Sequence, residues 1–145
     1  MNLLALIVLL PLVIGTTLCF VAGRVESPAR RRATAWVAGA VAGTSFALLM
    51  FLAPGVFAGE VLLQHTEWVP AIGLNANFRL DALAWMFASL ISGIGLLIIV
   101  YAAYYLHPGA DGDPAGKFFA TLMLFMAAML GIVLSDNLLL LLVFW

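Results

Sequence analysis

Residues 78–106 read FRLDALAWMFASLISGIGLLIIVYAAYYL, and this stretch decides the fold. After Asp81 it contains no Asp, Glu, Lys, Arg or His. A helix that crosses a bilayer needs about 20 consecutive apolar residues, so the stretch predicts a complete membrane span over residues 80–106. Asp81 lies at the start of this span, where a carboxylate stabilises the positive end of the helix dipole.

The composition of the whole chain indicates an integral membrane protein. Of the 145 residues, 66% are hydrophobic and 9% are charged, and the mean hydropathy is +1.18. Soluble domains average about 45–50% apolar and about 25% charged residues. The formal net charge of −1 provides no basic field that would attract nucleic acid. The single cysteine, Cys19, excludes an intrachain disulfide and a cysteine metal cluster.

The predicted fold is an all-α polytopic membrane protein with four full transmembrane helices and a truncated fifth. The predicted spans cover residues 3–22, 33–52, 80–106, 117–134 and, for the truncated helix, 137–145. We expect Ala53, Pro54 and Gly55 to end the second span, because proline and glycine disfavour helix interiors.

The last stretch, residues 135–145, reads SDNLLLLLVFW. Asp136 or Ser135 is expected to cap the fifth helix. The eight residues after Asn137 rise about 12 Å at about 1.5 Å per residue, against a hydrocarbon core of about 30 Å. We therefore expect residues 1–145 to form a single N-terminal membrane region of a longer chain.

The segment between the second and third spans, residues 53–79, differs from the spans. Apolar and polar residues alternate strictly from Ile72 to Leu80, which is the period of a strand with one buried face. This alternation predicts a short β-hairpin outside the membrane, with its turn near residues 70–73.

The basic residues predict the orientation in the membrane. Four of the six lie between the first and second spans: Arg24, Arg30, Arg31 and Arg32. Lysine and arginine are enriched in cytoplasmic loops, so these topology anchors place that loop inside. Parity then places the N-terminus, the 53–79 loop and the 135–137 connection outside.

Small residues recur at helical spacing and predict close helix packing. Gly39 and Gly43 form one GxxxG pair, and Gly93 and Gly131 follow a serine and an alanine four residues earlier. Such rows let helix backbones approach one another in membranes. Ordinary packing within the chain is the interpretation, and a specific dimer motif is the alternative.

The sequence contains no signal for catalysis or for a bound cofactor or metal. No ionisable side chain lies in the interior of the four complete spans, where proton and ion paths are normally built. Asp81, Asp136 and Lys117 lie near the predicted membrane edges, as helix caps or interface anchors or as ion-conducting groups. His65 and His107 fall on opposite sides of the predicted membrane, which argues against a shared metal site.

Residues 78–106, together with KFFATLMLFMAAMLGIVLSDNLLLLLVFW at 117–145, closely resemble the A-type subunit of the Mrp-type monovalent cation/proton antiporters, also called Pha or Mnh. They are more distantly similar to the large antiporter-like subunits of respiratory complex I. The resemblance implies a non-enzymatic component of a hetero-oligomer in the bacterial plasma membrane, exchanging protons for Na+ or another monovalent cation. It also implies that the proton-carrying glutamate and lysine of the family lie beyond Trp145.

Within such an antiporter this region would supply scaffold helices and part of the outer access route for ions. Asp136 matches the family's SDN motif near the mouth of that route, and Asp81 matches the opening of its third helix. Two alternatives stay open. One is a proton-translocating membrane subunit of complex I, and the other is a small membrane assembly module that does not transport.

Overall fold

The computed structural model describes residues 3–21, 28–66, 68, 75–105 and 115–145. It shows a helical membrane protein with a two-stranded sheet at one end of the helices. In chain order the elements are α1 (Leu3–Val21), α2 (Pro28–Phe57), β1 (Leu62–Gln64), β2 (Phe78–Leu80), α3 (Ala82–Tyr105), α4 (Ala115–Leu134) and α5 (Leu138–Phe144). The first four helices are long and apolar enough to cross a membrane, which agrees with the predicted polytopic fold.

Helix α4 is the centre of the described bundle. It packs against α1, α2, α3 and α5, and the α1–α4 and α2–α3 contacts are the most extensive. Of the residues in its apolar stretch 44% are buried, against 22–28% in the other spans. The buried side chains recur every three or four residues and form one face: Phe119, Met123, Met126, Leu130 and Leu134. Because lipid is as apolar as these side chains, close van der Waals packing stabilises this face.

Helix α2 is longer at both ends than the sequence predicted. It begins at Pro28, a residue that suits the first helical position because its missing N–H has no helical partner there. Arg30, Arg31 and Arg32 therefore lie in the first turns of a helix rather than in a loop. The fourth predicted topology anchor, Arg24, lies outside the described residues.

The prediction that residues 53–55 end the second span is wrong. Helix α2 continues through Pro54 and ends at Phe57. The chain leaves the helix at Gly59, whose φ of +85° favours glycine. The N–H of Gly59 donates to the carbonyl of Val56, and the N–H of Glu60 to that of Gly55, both at 3.0 Å. These two bonds form a Schellman motif, which satisfies carbonyls at the end of the helix.

Helix α3 supports α2 beside this proline. Pro54 has no N–H to donate to the carbonyl of Met50, one turn earlier, so α2 gains from contacts to other helices near this point. The indole N–H of Trp85 on α3 donates to the carbonyl of Leu49 at 2.7 Å. The rings of Trp85 and Phe57 also meet edge to face, with their centroids 5.0 Å apart. Trp85 therefore contacts α2 both before and after the proline, at Leu49 and at Phe57.

The two strands form an antiparallel pair, as the predicted hairpin requires. Leu62 faces Leu80, and Gln64 faces Phe78. Phe78 and Leu80 are buried while Arg79 between them is exposed, which is the predicted alternation.

The strand is shorter than predicted. Residues 75–77 are not in a strand, because the N–H of Asn77 donates back to the carbonyl of Asn75 instead of across the sheet. The predicted turn at 70–73 lies outside the described residues.

The glycines differ widely in how closely they approach neighbouring helices. A Cβ built at Gly15 of α1 would lie 3.0 Å from the backbone nitrogen of Leu124 on α4. At Gly131 it would overlap the ring of Phe144, and at Gly93 it would lie 3.2 Å from the ring of Phe46. At the predicted GxxxG pair, Gly39 and Gly43, the nearest atoms are side-chain carbons at 3.7 and 4.0 Å. The closest approach to another helix's backbone is therefore at Gly15, which the sequence did not single out.

Strand β1 caps the first helix. The side-chain oxygen of Gln64 accepts hydrogen bonds from the N–H groups of Leu4, at 2.9 Å, and Ala5, at 3.4 Å. The first N–H groups of a helix have no partner within it, and in a membrane each needs an acceptor. Gln64 therefore joins the sheet to α1 across 60 residues of sequence.

We predict that Gly15→Ala lowers the free energy of unfolding by about 1–3 kcal/mol, because the new methyl group meets backbone that cannot move like a side-chain end. Gly43→Ala is the matched control, since its nearest neighbour lies at van der Waals distance and alanine favours helix. Thermal unfolding in detergent measures both variants. Equal stabilities for the two variants would contradict the packing at Gly15.

We also predict that Gln64→Leu weakens the first turn of α1, because two N–H groups lose their acceptor. The loss is about 1 kcal/mol, as for other helix caps. Hydrogen exchange at Leu4 and Ala5 is the measurement, and both amides are expected to exchange faster. Gln64→Glu keeps an acceptor and should keep the protection, so loss of protection in both variants would argue against capping.

Candidate functional site

The ends of all five helices meet the sheet on one side of the bundle, which we call the sheet side. There α1 begins at the Gln64 cap, α2 ends at Gly59, α3 begins directly after β2, and the turn from α4 to α5 pairs with β2. The polar and charged side chains of the connecting segments consequently lie close together on this side. This is where a site can be assembled from described residues.

Three charged residues form a cluster on the sheet side, the Arg79 triad: Arg79, Asp81 and Asp136. The Nε of Arg79 lies 3.4 Å from a carboxylate oxygen of Asp81, and its Nη1 lies 3.9 Å from one of Asp136. The side chains are 48%, 35% and 40% exposed, in the same order. Exposed ion pairs of this kind contribute about 0–1 kcal/mol, so the triad is a charged surface more than a structural clamp. One arginine and two aspartates leave it with a net negative charge.

Strand β2 brings the triad together. Arg79 is its exposed middle residue, and Asp81 follows it by two residues. Phe78 forms a β-bridge with Ser135, and the N–H of Asp136 donates to the carbonyl of Asn77 at 2.9 Å. The sequence placed Asp81 and Asp136 at the same side of the membrane, and the backbone bridge is what places both near one guanidinium.

The two acidic residues differ in their relation to the helices. Asp81 caps α3, since its side-chain oxygen accepts from the N–H of Ala84 at 2.8 Å. Helix α5 is capped by Asn137, whose side-chain oxygen accepts from the N–H of Leu139 at 2.9 Å. The prediction that Asp136 or Ser135 caps α5 is therefore wrong. The turn needs Ser135 and Asp136 for pairing with β2, so the cap falls one residue later.

A layer of amides lies beside the triad. The side-chain N–H of Asn137 donates to the carbonyl of Asn75 at 3.4 Å. The side-chain oxygens of Asn75 and Asn77 are buried, and neither has a hydrogen-bond partner within the described part of the chain. A buried acceptor without a donor costs about 1–3 kcal/mol.

A cavity of about 400 Å³ opens at the triad between α3 and α4. Its rim is polar and its wall is apolar. The residues that line it are Arg79, Asp81, Leu83, Ala84, Phe87, Val133 and Ser135.

The remaining candidate residues lie elsewhere. Lys117 is exposed near the start of α4, at the opposite end from the triad, and Arg32 is exposed near the start of α2. His65 lies just after β1, and His107 is outside the described residues. Within the described ranges, no group of three or more His, Cys, Asp or Glu could hold a metal ion. Arg79 and Asn137 are the residues that sequence reasoning underrated, although an Asn directly before an apolar run is a recognised cap signal.

We predict that Asn137→Ala destabilises the start of α5 by about 1 kcal/mol, because the N–H of Leu139 loses its acceptor. Asn137→Asp keeps the cap acceptor but loses the N–H that donates to the Asn75 carbonyl, so it should cost less stability than Asn137→Ala without matching the unaltered chain. Asp136→Ala is expected to change it by less than about 0.5 kcal/mol, since the ion pair is long and exposed. Thermal unfolding of the three variants is the measurement, and a larger effect at Asp136 than at Asn137 would reverse the cap assignment.

Comparisons with known proteins find relatives of this chain. The family model described as NADH-ubiquinone oxidoreductase (complex I), chain 5 N-terminus, matches residues 68–119. A probable K(+)/H(+) antiporter A/B subunit of Rhizobium meliloti (strain 1021) is 47% identical over 116 residues, which are 80% of this chain and 11% of that protein. The A1 subunit of a Na(+)/H(+) antiporter from Staphylococcus aureus (strain bovine RF122 / ET3-1) is 39% identical over 100 residues, 69% of this chain and 12% of its own length.

A solved structure shares the fold. The structure of the Mrp complex from Dietzia sp. DQ12-45-1b contains a chain that matches 98% of this one with a TM-score of 0.72 and 29% sequence identity. The match covers 14% of that chain, so this sequence spans a small part of the proteins it resembles. In sequence and in fold, the chain corresponds to the N-terminal region of the A-type subunit of Mrp antiporters.

Proposed function

We propose that this chain forms part of a multisubunit monovalent cation/proton antiporter, in which it supplies scaffold helices and part of the outer access route for ions. The observation that carries the proposal is the similarity to relatives named as antiporter subunits. Asp136 in the Arg79 triad is the residue to which we assign the access role. The relatives' names divide between K+ and Na+, so the proposal names monovalent cations as a class, with Na+ as the sequence-based expectation.

The scaffold role follows from the chemistry of the spans. The middle of each of the four spans carries no ionisable side chain. A proton crosses a membrane protein on titratable groups or on water held by polar groups at depth. The proposal therefore assigns proton transfer across the membrane to other parts of the antiporter, and it makes this chain a secondary-transporter component without enzymatic activity.

The access role rests on the sheet side. The triad leaves one net negative charge at a half-exposed surface, which raises the local concentration of cations. The two buried amide oxygens of Asn75 and Asn77 have no donor within the described part of the chain, and carbonyl oxygens are the groups that replace the hydration shell of an alkali cation in channels. Asp136 lies next to this layer, since its backbone N–H binds the Asn77 carbonyl.

The same proposal includes the orientation and the setting. Arg30, Arg31 and Arg32 begin α2 at the end of the bundle away from the sheet, which supports a cytoplasmic position for that end. The sheet side and the N-terminus would then face outward across a bacterial plasma membrane. The other components of the antiporter are the proposed partners.

A subunit of complex I is the second candidate, because the family model that matches residues 68–119 carries that description. The relatives named as antiporter subunits cover a larger share of the chain and favour the antiporter. The third interpretation, a small assembly module, has no specific observation in its favour, since the closest glycine contacts join helices of the same chain.

We predict that Asp136→Asn raises the KM for the transported cation about threefold or more in vesicles containing the assembled antiporter, because a local negative charge is lost. The maximal rate should stay the same, since the variant leaves the proton-carrying groups intact. Cation-dependent collapse of a pH gradient is the measurement, and the effect should shrink at high ionic strength. Lys117→Gln, at the other end of α4, is the control. An unchanged KM at low salt would contradict the proposed role of Asp136 in the access route.

The isolated 145-residue chain tests the scaffold role directly. In liposomes with a pH-sensitive dye, we expect no collapse of a pH gradient on addition of Na+ or K+ beyond that of protein-free liposomes. Cation-specific exchange by the isolated chain would contradict the assignment of proton transfer to other parts.

A further inference from the structure

We propose that the cavity between α3 and α4 binds a zwitterionic phospholipid with a primary ammonium group, phosphatidylethanolamine. The headgroup would lie on Arg79 and Asp81, and an acyl chain would run along α3. This proposal concerns membrane lipid and does not rest on the transport role proposed above.

The rim of the cavity has the charges that such a headgroup needs. Arg79 and Asp81 both line it and both are partly exposed, and their closest polar atoms are 3.4 Å apart. The guanidinium has further N–H groups that can donate to a phosphate, and the carboxylate can accept from an ammonium. Because a two-carbon bridge joins phosphate and ammonium in this headgroup, the two charges can lie side by side over the neighbouring pair.

The apolar wall of the cavity continues into an exposed face of α3, and the two together have the polarity and the length that an acyl chain needs. Leu83 and Phe87 line it and are 63% and 45% exposed. The exposed face continues down α3 through Leu90 and Ile94, at helical spacing. From residue 83 to 94 the helix rises about 16 Å, which is about half of the hydrocarbon core and so one leaflet.

The combination of these features favours a lipid over another helix. A packed helix would cover the apolar face but would bury a guanidinium and a carboxylate, which is costly unless it brings matching charges. A zwitterionic headgroup brings both charges with no net charge of its own. The cavity volume, about 400 Å³, also lies within the range of small-molecule sites.

The test is lipid retention by the full 145-residue chain, purified in detergent and mixed with equal amounts of phosphatidylethanolamine, phosphatidylcholine and phosphatidylglycerol. Native mass spectrometry counts each lipid that stays bound. We expect phosphatidylethanolamine to be retained about tenfold better than the other two, because choline cannot donate a hydrogen bond to Asp81 and glycerol has no ammonium.

Two variants separate binding from folding. Arg79→Gln removes the phosphate partner, and Asp81→Asn removes the ammonium partner while asparagine still caps α3. Each should reduce retention of phosphatidylethanolamine to the level of the other lipids, and Asp81→Asn should do so with an unchanged unfolding temperature. Lys117→Gln, at the far end of α4, should leave retention unchanged.

Equal retention of the three lipids by the unaltered chain would overturn the proposal. So would full retention of phosphatidylethanolamine by Asp81→Asn. Retention of no lipid at all would also overturn it.

Discussion

Every backbone N–H and C=O group at a helix end needs a partner, and within a membrane protein few of those partners can be water. The segment from the end of α2 to the start of α3 meets this constraint for most of the sheet side. Gln64 accepts from the first N–H groups of α1, Gly59 closes α2, and Asp81 caps α3. The α4–α5 turn is paired with β2 through Ser135 and Asp136. The small sheet thus contacts the start of α1 through Gln64 and the α4–α5 turn through Phe78, and α3 begins directly after it. The charged triad is a product of that arrangement.

The spans were predictable from sequence because bilayer thickness fixes the length of an apolar run. That Asp81 and Asp136 lie at the same end of the bundle was predictable as well, since parity of the spans determines it. The meeting with Arg79 was not, because a backbone bridge between residues 78 and 135 has no local sequence signal. The end of the second span was wrongly predicted at Pro54 for a related reason. The helix-breaking tendency of this proline is local, whereas the Trp85 side chain of α3, which contacts Leu49 and Phe57 of α2, is a tertiary partner.

In the described bundle, the packed interior and the charged side chains lie in different places. Its interior is apolar and held by close packing, and its ionisable groups lie at the two ends. A region of this kind can position an ion path and shape its mouth without carrying the proton itself. The match to the N-terminal region of the A-type subunit of Mrp antiporters fits that division, because such a region would form the rigid edge of a larger transporter.

The pairing of α1 with α4 has a consequence for how the protein is made. Helix α4, whose residues Met123 and Leu124 lie against Gly15, begins about 100 residues after Gly15. Helices α2 and α3, in contrast, are neighbours in sequence. At roughly 5–20 residues per second of synthesis, α1 waits about 5–20 s in the bilayer before its main neighbour exists. The hydroxyls of Thr16 and Thr17 bond to carbonyls of their own helix, so α1 can wait in lipid without exposing them. The nascent chain therefore holds its first helix by its smaller contact with α2 until the fourth helix has been inserted.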